Sequence, residues 1–256
     1  MNSVQKTQLL TYFAAMNRKT NLSVNINKIA LLRNSRGSNI PDVIQFAKDC
    51  ERFGADGITV HPRPDERHIR RSDVYELKQV VKTEFNIEGY PSDDFLKMVL
   101  EVKPHQCTLV PDDPNQLTSD HGWDTIKHAS FLKEVISELQ KNNIRVSLFI
   151  DPIRELLEGA KKTGTERIEF YTGPYAHDFY SNKEKAVKPF ADAALICEEL
   201  QLGINAGHDL NLDNLQFFKQ GVPALQEVSI GHALVRDCLY FGLQNVIGMY
   251  QRQLSI

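Results

Sequence analysis

No C-x-x-C pair occurs among the four cysteines, Cys50, Cys107, Cys197 and Cys238, which lie far apart in the 256-residue chain. That spacing argues against a disulfide framework or a structural zinc site and suits a reducing compartment. No apolar run approaches the ~20 residues of a membrane span. The apolar patch Leu9–Met16 is interrupted by Thr11 and Tyr12 and preceded by only one lysine, so it reads as a short amphipathic helix or frayed extension rather than a signal peptide. A surplus of either charge is missing too. The 30 basic and 33 acidic residues give a net charge of -3, which offers no global attraction to nucleic acid or to an acidic membrane. The chain also lacks H-x-H and H-E-x-x-H spacings, a G-x-G-x-x-G fingerprint, a Walker loop and low-complexity tracts. A cytoplasmic protein with neither nucleic acid nor membrane as partner is expected. With 41% hydrophobic and 25% charged residues, it can bury a full core.

From Leu22 onward, short apolar runs alternate with longer segments of helical period, eight times over. Strands are predicted at 22–26, 57–60, 85–88, 106–110, 145–150, 167–171, 203–206 and 227–230. Helices are predicted at 41–53, 72–83, 92–102, 130–142, 152–163, 182–202, 212–220 and 233–251. Ser92 and the Asp151-Pro152 pair mark helix starts, and Gly54, Gly164, Gly203 and Gly221 stand where helices should stop. Eight β-then-α units without a long linker point to one closed (β/α)8 barrel over residues 21–256, preceded by an extension of residues 1–20. An open doubly wound sheet fits less well, because the first strand leads into no nucleotide-binding glycine loop.

In such a barrel the C-terminal ends of all eight strands meet at one mouth. Those ends carry Asn25, Asn27 and Lys28; His61 and Arg63; Glu88; Asp112 and the loop to Thr118; Asp151; Glu169 and Thr172; His208; and Gly231 with His232. A strand-end glutamate can simply bind an arginine or a helix N-terminus. Two of them, Glu88 and Glu169, at one mouth with three histidines favour acid/base work. Around Pro62 and Pro64, Arg63, Arg67 and His68 add anion-binding capacity to the proton-carrying His61, and Arg33 and Arg36 beside Gly37 suit a phosphate or carboxylate. Gly231 before a helix, beside Asn205-Ala-Gly-His-Asp209, makes a phosphate cup in the position where barrels often place one. The histidines and Asp151 have metal-ligand chemistry but not metal-ligand spacing, and the nearby arginines would repel a cation. Acid/base chemistry on phosphorylated small molecules is therefore expected, with no metal.

One motif per strand, in order, the chain resembles the pyridoxine 5′-phosphate synthases of vitamin B6 biosynthesis. The resemblance rests on 24–37, on Gly54-Ala-Asp-Gly-Ile-Thr-Val-His-Pro-Arg63 with Arg67-His68, and on Asn86-Ile-Glu88. It continues through 103–105 with 109–111, 146–151, Ile168-Glu-Phe-Tyr-Thr-Gly173, Asn205-Ala-Gly-His208 and Ile230-Gly-His-Ala233. It implies a (β/α)8 barrel that condenses 3-amino-2-oxopropyl phosphate with 1-deoxy-D-xylulose 5-phosphate, without a cofactor, and assembles as a homo-octamer built from dimers. By the same resemblance His61 and Glu88 are general bases, His208 is the proton donor, and Glu169 stabilises cationic intermediates. Asn25, Arg36, Asp209 through its backbone, Gly231 and His232 hold the aminoketone phosphate. Asn27, Lys28, Arg63, His68 and Thr118 hold the sugar phosphate. Two positions depart from the family pattern. Asn27-Lys28 stands in place of Asp-His, which keeps binding capacity more readily than proton transfer, and Asp209 stands in place of Gly. The polar stretch 112–123 is the expected lid. Alternatives are an isomerase or epimerase barrel, distinguished by one phosphate site rather than two, and a non-catalytic protein that binds a B6 precursor.

Overall fold

The computed structural model describes residues 19–112 and 119–255. The patch Leu9–Met16, Thr118 and the central part of the expected lid lie outside the described residues. Eight parallel strands, β1 (Asn21–Asn25), β2 (Gly57–Val60), β3 (Glu84–Gly89), β4 (Gln106–Leu109), β5 (Arg145–Ile150), β6 (Arg167–Phe170), β7 (Gly203–Ala206) and β8 (Leu225–Ile230), pair in chain order and close on themselves, β8 against β1. Helices α1 (Asn27–Asn34), α2 (Val43–Arg52), α3 (Arg71–Val80), α4 (Asp93–Val102), α5 (Ala129–Lys141), α6 (Arg154–Thr163), α7 (Gly173–Asp178), α8 (Lys183–Glu199), α9 (Leu215–Gly221), α10 (His232–Phe241) and α11 (Leu243–Leu254) surround them. The expected (β/α)8 barrel is what the chain adopts. Among the described residues no helix is long and apolar enough to cross a membrane.

Strand alternation divides the buried residues into two sets. Leu22, Val24, Ile58, Val60, Phe85, Ile87, Val146, Leu148, Ile168, Phe170, Val228 and Ile230 face the helices and form the apolar core with them. Each such side chain contributes about 1.5–3 kcal/mol through burial. The alternate residues point into the barrel and, Phe149 on β5 apart, are mostly polar. Ser23 and Thr59 share a hydrogen bond of 2.7 Å, and Thr108 Oγ1 donates to Asn86 Oδ1 at 3.1 Å. The barrel lumen is thus a buried polar column, and its upper end is where chemistry can occur.

Several boundaries differ from the sequence reading, each for a local reason. Asp151 caps no helix. Its carboxylate accepts the Gly122 N–H at 2.9 Å, and α6 starts three residues later. Gly203 belongs to β7 rather than to a helix stop; Gln201, at φ 54°, already ends α8's course. Gly221 is the last residue of α9, where a Cβ would meet Val187 Cγ2 at 2.5 Å, so it is small for packing. The long final helix is two, α10 and α11, broken at Gly242 with φ 75° and ψ 149°, a conformation open to glycine alone. Two helices were not anticipated. α7 has only six residues, too short to show a period, and α1 turns Ile29, Ala30 and a charged residue, Arg33, inward.

Candidate active site

β1 and β2 build one wall. Asn25 Nδ2 donates to Glu88 Oε2 at 3.3 Å, and its Oδ1 accepts the Asn27 N–H at 3.1 Å. Asn27 Oδ1 in turn accepts the His61 N–H at 2.9 Å, so Asn27 fixes the backbone that presents His61. Lys28 is exposed on the first turn of α1. The His61 and His68 rings meet edge to face with centroids 6.5 Å apart. Burial first, and then the neighbouring Arg63, hold His61 well below the ordinary imidazole range. Burial and the Arg63 charge likewise push His68 down to about 4. Both rings are neutral near pH 7. His68 Nδ1 accepts the Ile69 N–H at 2.9 Å, which leaves the hydrogen of the neutral ring on Nε2.

Arg63 is buried and donates from Nη2 to Asp112 Oδ2 at 2.6 Å, where the Ser119 hydroxyl also donates at 2.7 Å. Asp112 Oδ1 is buried without a hydrogen-bond partner among the described residues. Arg33 does not belong to an anion site. It is 1% exposed and binds Asp73 through Nη1 and Nη2 at 2.6 and 2.8 Å. Arg36 is exposed on the turn after α1 and shares no described contact with the other candidates, while Arg67 pairs with Asp65.

Glu88 and Glu169, on β3 and β6, face each other's field inside the barrel. Burial, then Asp112 and Glu227, lift Glu88 to about 8, with Arg63 opposing. Burial and the Glu88 charge raise Glu169 well above the carboxylate range. Glu88 is therefore predominantly protonated at neutral pH, and Glu169 is shifted in the same direction. A cation arriving beside them would reverse that, because its charge favours the carboxylate.

At the end of β7, a Cβ on Gly207 would lie 2.2 Å from Ser229 O and 3.3 Å from Glu169 Oε1, so this glycine lets the β7 and β8 ends close around Glu169. His208 follows. Its Nδ1 lies 3.0 Å from Asp209 Oδ2, its ring packs edge-on against Tyr171, and Thr172 Oγ1 donates to its carbonyl. Asp209 sits at φ 66°, a left-handed conformation in which glycine is unstrained, and its carboxylate, held low by the His208 hydrogen bond, turns toward that ring. Next to it, α10 begins at His232 without a side-chain cap, leaving its first-turn N–H groups open beside Gly231, whose missing side chain brings it close to Asn25.

Glu227 was not anticipated as part of this surrounding. Buried on β8, it accepts from Asn205 Nδ2 at 3.4 Å and lies 3.9 Å from Arg167 Nη1. Its signal was legible as a period of two: Glu84-x-Asn86-x-Glu88, Arg167-x-Glu169 and Glu227-x-Ser229 all place polar groups on one strand face.

Residues 22–255 match the family described as pyridoxal phosphate biosynthesis protein PdxJ. The pyridoxine 5′-phosphate synthase of Cytophaga hutchinsonii is 59% identical over 236 residues, covering 92% of this chain and 99% of its own. That of Bacteroides fragilis is 58% identical over 232 residues, covering 91% and 98%. Among solved structures, thiamine phosphate pyrophosphorylase from Pyrococcus furiosus superposes with a TM-score of 0.60 at 12% identity over 93% of this chain and 96% of its own. Phosphoribosylanthranilate isomerase from Thermotoga maritima gives 0.56 at 12% over 92% and 98%. At such identities these two share the fold.

Proposed function

Since the chain belongs to the PdxJ family, enzymes of vitamin B6 biosynthesis, we propose that it condenses 3-amino-2-oxopropyl phosphate with 1-deoxy-D-xylulose 5-phosphate into pyridoxine 5′-phosphate, releasing phosphate and water. The observation that carries this reading is the grouping at one mouth of two neutral histidines, two carboxyls with raised pKa and an uncapped helix start. The amine of one substrate attacks the ketone of the other, so the protein has to hold two phosphates, move protons and let water leave. His61, kept neutral, takes a proton. Glu88 takes one in its ionised form and Asn25 orients it. Glu169 loses its proton when a cationic imine forms beside it and then stabilises that charge. His208 donates from Nε2, with Asp209 on Nδ1 stabilising the charged ring.

Asn25, Arg36, the backbone at Asp209, Gly231 and His232 hold the aminoketone phosphate; Asn27, Lys28, Arg63, His68 and Thr118 hold the sugar phosphate. We further propose self-association into a homo-oligomer, supported by the exposed apolar residues Leu239, Tyr240 and Phe241 at the end of α10. Incubating the purified protein with both substrates and following the pyridine chromophore tests the reaction. Absence of product at high enzyme concentration refutes it, and turnover of either substrate alone points to an isomerase instead.

A further inference from the structure

Within the loop that carries His61, Arg63 and His68, residues 61–70, side-chain bonds gather at Asp65, which accepts from Arg67 N and Nε, and at His68 Nδ1, which accepts the Ile69 N–H. The loop's internal backbone bond runs from Glu66 N to Arg63 O at 2.9 Å, and Glu66 adopts a left-handed φ of 52°. The carbonyls of residues 66–68 are held from outside the loop, by α1. Asn34, the last residue of that helix, aims Nδ2 at three successive carbonyls of the loop: Glu66 at 3.2 Å, Arg67 at 3.2 Å and His68 at 2.8 Å. Arg33 Nε donates to Asn34 Oδ1 at 3.1 Å, which decides the orientation of the amide and turns its NH2 to the loop. The same guanidinium donates from Nη2 to His68 O at 3.0 Å and is anchored on Asp73 at the start of α3. At the opposite end of the helix Asn27 receives the His61 N–H. One short helix therefore grips the loop at both ends, and the turn bearing Arg36 follows directly from the grip.

We propose that Asn34, oriented by Arg33, is a positioning residue that fixes the carbonyl row of residues 66–68 and thereby the direction in which the His68 ring presents Nε2–H. It touches no substrate. Its effect is felt at the sugar-phosphate side of the mouth, an assignment that rests on the function proposed above. A loop without this support keeps its residues but loses the angle of His68, and the Ile69 N–H to Nδ1 bond that selects the tautomer loosens with it. Asn34 is only half buried, so changing it need not disturb the core.

The test is Asn34→Asp, the same shape without the NH2 donors, with Asn34→Ala as a second variant, both checked for folding by circular dichroism. The first readout needs no turnover: amide exchange at Ile69 and the 15N resonances of His68. At least about tenfold faster exchange and a mixed tautomer population are expected. The second is steady-state kinetics, where the KM for 1-deoxy-D-xylulose 5-phosphate should rise about tenfold or more while kcat at saturation stays within about threefold. Unchanged exchange and unchanged His68 resonances in a folded variant overturn the inference, as does a fall in kcat with KM intact. If the resonances move in a protein that has no synthase activity, the positioning role stands and the proposed function is what fails.

Discussion

Glu88 offers the sharpest quantitative expectation. Its carboxyl lies inside the barrel with Asp112 and Glu227 adding negative potential, and the pKa rises from 4.5 to about 8. A shift of that size corresponds to roughly 5 kcal/mol in favour of the protonated form. At pH 7 about one molecule in ten then carries the ionised base. If the ionised form is the working one, kcat/KM should climb nearly tenfold per unit as pH rises to about 7.5 and level off above about 8.5. Glu88→Gln should lower turnover by roughly 10²-fold and abolish that limb. The same shift has a stability consequence, and its sign is fixed by linkage. The folded protein binds the Glu88 proton more tightly than the unfolded chain, so this contribution is fully present below about 4.5 and is lost as pH rises through about 8. Chemical denaturation between pH 6 and 9 should therefore show declining stability in the wild type and a shallower decline in Glu88→Gln. A flat pH–rate profile across 6 to 9, together with equal stability slopes for the two proteins, would falsify the reasoning.

The other expectations concern separate parts of the molecule. Arg33→Met strands Asp73 as a buried carboxylate and should cost about 3–5 kcal/mol in urea unfolding, whereas Arg33→Met with Asp73→Leu should recover most of it; equal losses in single and double variants would show that the pair is not coupled. The remainder, about 1 kcal/mol per lost bond, comes from the Arg70 N–H that Asp73 also accepts and from the Arg33 donations to Asn34 Oδ1 and His68 O. The His68 ring should titrate in NMR near pH 4 rather than near 6.5, and its share of stability, present above about 6.5, should be lost as pH falls through about 4; a midpoint above 6 contradicts the burial argument. Gly207→Ala places a Cβ against the Ser229 carbonyl and pushes apart the β7 and β8 ends, so it should destabilise the protein by about 2 kcal/mol or more and reduce turnover further than stability explains. Wild-type activity in that variant would show that the strand ends are not tightly set.

The eightfold alternation of apolar runs and helical periods was readable from the chain because both signals are local: the apolar run around Val24 or Ile168, whose side chains pack against the helices, is visible in its immediate neighbours. The glycine and proline punctuation placed most boundaries within a few residues. It misled where a glycine was small for packing, as at Gly221, and where a carboxylate at a helix-start motif was used elsewhere, as at Asp151. The strand-end candidates could be named, and so could the arginine-bearing loops, but not which arginine would stay exposed. Arg33 and Arg36 look alike in sequence, and only the arrival of Asp73 from α3 buries one and leaves the other exposed.

Residue types and spacing thus determined the barrel, the face on which chemistry gathers and the kinds of group available there. Tertiary structure alone decided their states: that His61 and His68 are neutral, that Glu88 keeps its proton up to about 8, that Asn34 donates to carbonyls 32 to 34 residues away in sequence. The reason is physical. Hydrophobic alternation is written in neighbouring residues, whereas protonation and orientation are set by charges and donors that folding brings together from distant segments into a space with little water to screen them.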